Sequence, residues 1–229
     1  MYLIAAVGQD GALGLTDTAG TARLPWEPLT VDRHWFQSLT TAVRPDRMLR
    51  HLCMLRHLCR YLPTVGDRSI AWNEGLWHTS GNVVICGWRT AQTLPHPLRD
   101  RITIVLRDRT AHGAGDWPCK ARTFQEAIDK ARETHHAPAI WGIGGSQVYA
   151  AALHHDTCAD VILTEVEGTF PAATSWWPVP IAWQTGTFQC GGITWQRTLV
   201  SAWVEEPDRP RYRLSGWNRI TNVLRRRAR

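Results

Sequence analysis

The sequence has no apolar run approaching the roughly 18 residues that a membrane-spanning helix needs, so a spanning helix is excluded. Its opening, Met1 to Val7, lacks the basic region and longer apolar stretch of a secretory signal, so an intracellular, cytoplasmic protein is expected. Lysine is nearly absent: Lys120 and Lys130 stand beside 24 Arg. There is no GxGxxG fingerprint of a dinucleotide fold, and no acidic residue stands where such a fold binds ribose. The 6 Cys are scattered, which excludes a disulfide framework and predicts reduced thiols. Phe and Tyr are scarce at 4 each, yet there are 13 Trp, so most Trp must build core or site walls.

What is present is a chain of 229 residues with a formal charge of +6, ordinary for one soluble domain with attachments. The charge is uneven. Residues 205–229 hold eight Arg against three acids, and residues 44–60 hold five Arg against Asp46. The rest of the chain is slightly acidic.

Residues 2–7 read as a buried strand, followed by a glycine-rich loop ending at Leu24-Pro25-Trp26. Val31, Trp35 and Leu39 then fall at helical spacing, with Thr30 as a plausible N-cap. A second apolar stripe, Met48, Leu52, Leu55, Cys59 and Leu62, predicts a basic amphipathic helix over 46–62, stopped by Pro63. Strands and helices then alternate. Strands are expected at 83–86, 102–106, 139–141 and 161–164, and helices at 90–94, 124–134 (Thr123 as cap, Glu126 completing a capping box) and 146–154. The last clear strand is 193–204, paired with 182–190 through Gly191-Gly192. Such alternation predicts a largely parallel α/β sheet.

Two strand-to-helix turns carry glycine. Ile143-Gly144-Gly145-Ser146 and Cys86-Gly87-Trp88-Arg89-Thr90 would each let a phosphate approach bare backbone at a helix start. Either alone is equally well a tight turn. Asp32, alone, is an ordinary first-turn acid favoured by the helix dipole.

Together, in order, these residues resemble dihydrofolate reductase. The strand Leu3 to Val7, Leu13-Gly14, Leu24-Pro25-Trp26 with an acid six residues on, and Trp35-Phe36 resemble the family's opening. Val84-Ile85-Cys86-Gly87 with Thr90, Pro97 to Arg101 leading into Ile102 to Leu106, Ile143 to Tyr149, and Leu163-Thr164 resemble its later segments. The resemblance covers residues 1–40 and 82–204. It implies a twisted, mostly parallel eight-stranded sheet flanked by helices, and hydride transfer from NADPH to dihydrofolate. It implies Asp32 as the lone carboxylate facing the pterin, Thr164 orienting it, and Trp26 holding an ordered water. Ile4, Ala5, Ala6, Phe36, Leu94 and Leu98 would wall the substrate, and Arg101 would pair with its glutamate carboxylate. Ala6, Leu13, Gly14, Gly87, Arg89, Thr90, Ile143, Gly144, Gly145, Ser146, Gln147, Val148 and Tyr149 would contact the cofactor. Thr174 lies ten residues after Thr164, as a family Thr does.

Trp88 departs from the family's usual Arg or Lys for the 2′-phosphate, and Arg107 is placed to compensate. Ala91 replaces a usual Trp. The resemblance thus implies a domain over 1–204 with an insertion near 42–78, and a basic tail over 205–229 whose residues 217–224 could form a short helix. The insertion helix could pack on the core, dimerise, or bind nucleic acid or a thymidylate-synthesis enzyme. Cys53 and His57 are an i, i+4 pair, but no four-ligand metal site assembles there. A monomer or homodimer is expected. Two alternatives stay open. One keeps the fold with another substrate, as in the riboflavin-pathway reductase. The other is a non-enzymatic module working through its Arg-rich insert and tail.

Overall fold

The computed structural model of the chain describes all residues except 19, 43–44, 46–48, 51–80, 95–97, 108–116 and 221–229. In chain order the elements are β1 (Tyr2–Gly8), β2 (Ala12–Thr16), β3 (Ala22–Arg23) and α1 (Thr30–Thr41). Next come β4 (Val83–Gly87), α2 (Trp88–Thr93), β5 (Ile102–Leu106) and β6 (Cys119–Ala121). Then follow α3 (Phe124–Asp129), which continues as a π-helical turn (Lys130–Thr134), β7 (Ile140–Gly144), α4 (Ser146–His154) and β8 (Asp160–Val166). The chain finishes with β9 (Ser175–Trp176), β10 (Ile181–Ala182), β11 (Thr187–Cys190), β12 (Ile193–Val200) and β13 (Tyr212–Ile220).

Ten strands form the main sheet, in the order β10-β11-β12-β13-β8-β1-β7-β4-β5-β6. From β8 to β6 every pairing is parallel. The remaining four strands join antiparallel through β13 on β8. Eight strands were expected. The strands of this sheet not read in the sequence are β6, of three residues, and β10, of two, too short to show a period of two, and β13, in the expected tail.

The apolar residues divide by face. On one face α1 and α2 set Trp35, Leu39 and Ala91 against Ile4, Val84, Ile162 and Leu214. On the other, Ala127 and Ile128 of α3 cover Ile85 and Ile104. Beside them Tyr149, Ala152 and Leu153 of α4 cover Leu3, Val7 and Leu163. Trp177, Trp195 and Trp217 extend that second layer over the antiparallel strands. Fully burying each large apolar side chain stabilises by roughly 1.5–3 kcal/mol, so the abundant Trp is used mainly as core. Thr123 caps α3, its hydroxyl accepting from the Glu126 amide at 3.1 Å, while the Glu126 carboxylate reaches back to the Arg122 amide at 2.8 Å, one residue before the cap.

Beyond Val204 the structure corrects the sequence reading. Residues 212–220 are a strand inserted between β12 and β8, and the helix expected from 217 does not form over 217–220. The apolar spacing of Trp217 and Ile220 suggested a helix, but Tyr212 and Leu214 face α1 while Trp217 faces the Trp layer. Gly216 admits Leu49, whose Cδ2 would lie 2.8 Å from any added Cβ. Arginines counted as a solvated basic tail are committed. Arg213 Nε donates to Glu165 at 2.7 Å, and Arg197 Nη1 donates to the same carboxylate at 2.9 Å. Arg211 pairs with Glu167, and Arg219 Nη1 donates to the Asp156 carbonyl at 3.1 Å. Glu165 is buried, so two guanidiniums satisfy one desolvated carboxylate and lock β8, β12 and β13 together.

The helix expected over 46–62, with Cys53, His57, Arg56 and Arg60, lies outside the described residues, apart from Leu49 and Arg50. Among the described residues no cluster of three metal-ligating side chains occurs, and no helix is long and apolar enough to cross a membrane.

A chain ended at Val204 is expected to lose cooperative folding, because β8 and β12 would be left as unpaired neighbours with a bare edge each. Near-UV circular dichroism and a thermal melt check this. A cooperative melt matching the full chain would show β13 to be dispensable.

Candidate active site

The site lies where α1 crosses the carboxyl ends of β1 and β8. Strand pairing sets Ala6 of β1 beside Thr164 of β8. The Thr164 hydroxyl donates to Asp32 Oδ1 at 2.6 Å. Asp32 comes from the first turn of α1 and is half-buried against the apolar face built by Ile4, Trp26, Trp35 and Leu98. Burial pushes its carboxyl up to about 6 from 3.8, against the Thr164 hydrogen bond and with the help of nearby Glu206. At neutral pH it is therefore poised to exchange a proton.

Trp26 is buried, and its ring centroid lies 4.7 Å from that of Phe170. Its Nε1–H has no partner among the described residues, which leaves a buried donor in the cluster of Ile4, Trp35 and Leu98. Phe36 and Leu94 pack against the same cluster as Leu98. Ala5 does not join them. Strand alternation turns its side chain to the opposite face, among Leu3, Val7 and Tyr149.

Arg101 stands at the far end of α1. Its Nη1 donates to Thr40 Oγ1 at 2.7 Å, its Nε donates to the Arg99 carbonyl at 2.9 Å, and its guanidinium lies 5.5 Å from the Phe36 ring centre. Burial pulls its pKa below the ordinary value, opposed by Asp100. Buried Asn82 closes the end of α1, donating to the carbonyls of Thr40 and Ala42 at 3.0 Å each. Asp32 and Arg101 are thus fixed near opposite ends of one helix.

The two glycine turns meet. Cys86 of β4 pairs with Gly144 of β7, so Gly87 and Gly144-Gly145 end adjacent strands. A Cβ on Gly144 would lie 3.2 Å from the Thr90 side chain and 3.4 Å from the Tyr149 hydroxyl. At φ +135 a side chain there would also be strained. The N-termini of α2 and α4 follow directly, at Trp88 and Ser146. Bare backbone at two adjacent helix starts suits a pyrophosphate, so these residues fit a dinucleotide cofactor. Ile143 and Val148 are buried beneath the turn, while Gln147 and Arg89 are exposed. Tyr149 is buried and donates to the Ile4 carbonyl at 3.0 Å. The Arg107 guanidinium lies 4.3 Å over Trp88, so the two residues singled out for the 2′-phosphate are in contact.

The loop after β1 is clasped. Gly14 pairs with Ser175 across β2 and β9, the Thr174 amide donates to the Gly14 carbonyl, and the Thr174 hydroxyl accepts from the Thr16 amide, both at 2.8 Å. Asp10 accepts from the Phe170 amide. Leu13 packs toward the Tyr149 and Trp177 layer.

Thr30 does not cap α1. Leu29 occupies the cap position without a side-chain bond. Glu206 takes over, accepting from the amides of Thr30 at 3.1 Å and Val31 at 3.2 Å. Its partner Tyr212 also accepts from Val31, at 3.2 Å. These two residues were missed because they lie more than 170 positions from the helix they serve, and no local spacing signals that.

Comparison with known proteins places these features in a family. The family model of dihydrofolate reductase matches residues 77–189. The chain is 30% identical over 147 residues to dihydrofolate reductase of Mycobacterium tuberculosis, covering 62% of this chain and 77% of that one. It is 34% identical over 102 residues to dihydrofolate reductase of Heliothis virescens, covering 42% and 55%. It is 27% identical over 172 residues to a bifunctional dihydrofolate reductase-thymidylate synthase of Acanthamoeba polyphaga mimivirus, covering 74% of this chain and 25% of that protein. The chain therefore spans a quarter of the bifunctional viral protein and about half of the insect one.

The raised pKa of Asp32 carries a stability signature. The folded value, about 6, exceeds the unfolded 3.8. The acid's contribution is therefore fully present below 3.8 and lost as pH rises to about 6. Asp32→Asn removes that loss and keeps an acceptor for Thr164. The variant is expected to gain stability over the wild type between pH 4 and pH 7.5, by up to roughly 3 kcal/mol. Denaturant melts at the two pH values measure it. A stability difference independent of pH would contradict the buried, proton-exchanging acid.

Proposed function

The chain belongs to the dihydrofolate reductase family, and from that premise we propose that it reduces 7,8-dihydrofolate to 5,6,7,8-tetrahydrofolate with NADPH as donor, in the cytoplasm. The observation that carries the reading is the Asp32–Thr164 pair at 2.6 Å, set in an apolar wall one strand from a glycine-lined cradle. The pterin presents an amidine-like edge, and a carboxylate binds such an edge through charge-assisted hydrogen bonds. When bound, the reduced nicotinamide supplies the hydride. The chain's own residues do the remaining work.

Thr164 holds Asp32 in one rotamer. The apolar wall raises the carboxyl's pKa, so a proton is available beside the ring nitrogen that must gain one. Trp26 offers its free indole N–H to a water or to the substrate. Arg101, braced by Thr40 and Phe36, presents a planar cation to the glutamate tail. Gly87, Thr90, Gly144 and Gly145 would hold the pyrophosphate, and Leu13, Gly14 and Tyr149 would line the nicotinamide end. Arg107 takes over the 2′-phosphate in place of the cation that Trp88 displaces. The product would serve one-carbon metabolism and thymidylate synthesis, the activity joined to reduction in the name of the viral relative. The alternative is a non-enzymatic module working through its Arg-rich insert and tail; Arg211, Arg213 and Arg219 are committed to protein partners, while most of the insert and Arg225, Arg226, Arg227 and Arg229 lie outside the described residues.

Following NADPH oxidation with dihydrofolate tests the reading. Asp32→Asn is expected to lower kcat/KM by on the order of 10²–10⁴ while the fold persists, and near-normal turnover would remove Asp32 from the chemistry. Arg107→Ala is expected to raise KM for NADPH roughly tenfold and leave KM for NADH unchanged. Equal effects on both cofactors would remove Arg107 from the 2′-phosphate.

A further inference from the structure

The start of α1 poses a physical problem. A helix N-terminus leaves backbone N–H groups without intrahelical partners, and here they belong to the turn that carries Asp32. Leu29 has no side chain able to satisfy them. A carboxylate from the far end of the chain does so instead. Glu206 Oε1 and Oε2 accept from Thr30 at 3.1 and 3.2 Å, and Oε1 accepts again from Val31 at 3.2 Å. The Tyr212 hydroxyl donates to Glu206 Oε1 and accepts from the Val31 amide. Tyr212 is fully buried and meets Trp35 edge-on, with ring centres 5.8 Å apart. Arg209 closes the group from outside, 3.5 Å from Glu206.

The two anchors of this turn come from neighbouring strands. Thr164, which holds Asp32, pairs with Leu214, and Tyr212 pairs with Val166 two residues along. Backbone register therefore fixes the spacing between the group that holds Asp32 and the group that holds the turn it hangs from. We propose that Glu206, clamped by Tyr212, is a positioning residue for Asp32: it seats the first turn of α1 on β8 and β13 and sets a second negative charge beside the reacting acid. The inference rests on the reductase reading for its catalytic consequence.

The charges around Asp32 give the proposal a sign. Glu206 is a like charge and favours the protonated form of Asp32. It is itself ionised in the relevant range. Burial raises its pKa, but hydrogen bonds from Tyr212, Thr30 and Val31 and the Arg209 guanidinium outweigh that and hold it below the ordinary carboxylate value. Tyr149 on α4 and Tyr212 on β13 also face Asp32, and burial pushes both phenols well up, so they stay neutral. On α1 itself Arg33 and His34 are exposed. Glu206 also occupies the positive end of the helix dipole, which would otherwise stabilise ionised Asp32.

The test uses the full chain and two variants of opposite sign. Carbon-13 labelling of aspartate, with Asp32 assigned by its loss in Asp32→Asn, reads the titration of Asp32 directly and without substrate. Glu206→Gln keeps an acceptor for the cap and removes the charge. The Asp32 midpoint is expected to fall by roughly half a pH unit, and kcat at pH 8 to fall about threefold as the protonated fraction shrinks. Arg209→Gln leaves the cap untouched and unmasks the Glu206 charge, so the midpoint is expected to rise by a few tenths of a unit. A purely structural cap moves neither midpoint, and an unchanged titration in both variants overturns the proposal. If Glu206→Gln does not fold, Arg209→Gln alone decides, and a fixed midpoint there overturns it. Moved midpoints in a protein that does not reduce dihydrofolate would sustain the electrostatic coupling and refute the reductase reading. Fixed midpoints in an active enzyme would do the reverse.

Discussion

An acid placed against an apolar wall must be held, or it will turn to water. That constraint organises this molecule. Asp32 is carried by the first turn of α1, and the turn is held at two points on adjacent strands, β8 through Thr164 and β13 through Tyr212 with Glu206. A hydrogen bond to a charged group contributes roughly 1.5–3 kcal/mol, comparable with the cost of keeping Asp32 in the wall. Neither anchor is enough alone. Thr164 fixes the carboxylate but not the helix, and the Glu206 cap fixes the helix but not the side chain. The antiparallel pairing of β8 with β13 makes them one frame.

The sheet divides its work along the same line. The parallel strands β4 and β7 stop at glycines, and their carboxyl ends open into a cradle of bare backbone. The antiparallel strands build no cradle. They supply the Trp layer on one face and the Tyr212 anchor on the other, and the buried Glu165 with Arg197 and Arg213 ties them to β8. Strand β1 lies at the join, parallel to both its neighbours. Its Ala6 pairs with Thr164, which holds Asp32, and its Ile4 carbonyl accepts from the Tyr149 hydroxyl of α4. The Asp32 pocket and the glycine cradle thus sit on opposite sides of the middle strand of one sheet.

What could be read in the sequence was whatever had a local cause. The parallel strands are short runs of buried apolar residues alternating with helices, and Thr123 with Glu126 announced α3. The glycine turns, the Trp26 to Asp32 spacing and Thr164 were legible because each lies within its own motif. The cap of α1 was not. Thr30 has the right side chain at the right place, yet a carboxylate from residue 206 displaced it, and a contact spanning the chain leaves no trace in spacing. Ala5 was assigned to the wall with its neighbours, although a period of two forbids adjacent residues from facing the same way. Strand β13 was hidden for a third reason. Arg and Asn interrupt it, so counting charge and helical spacing favoured a solvated tail.

The arginine count shows why that last reading failed. A formal charge of +6 states how many cations outnumber acids, not where they point. In 205–220 the cations are spent on protein partners: Arg209 on Glu206, Arg211 on Glu167 at the surface, Arg213 on buried Glu165, and Arg219 on a backbone carbonyl. Three of these partners are acids from the slightly acidic remainder of the chain or from the segment itself. Arg suits this use better than Lys, because a planar fork can satisfy a carboxylate while its face lies on an aromatic ring. Arg213 does both, lying 4.5 Å over Trp203 as it bonds Glu165. The scarcity of lysine and the abundance of tryptophan then share a structural use, since guanidinium–indole contacts recur at Arg107–Trp88, Arg197–Trp217 and Arg219–Trp195. A basic segment therefore became a strand because each cation that enters the fold finds a carboxylate, a carbonyl or an indole waiting across the register.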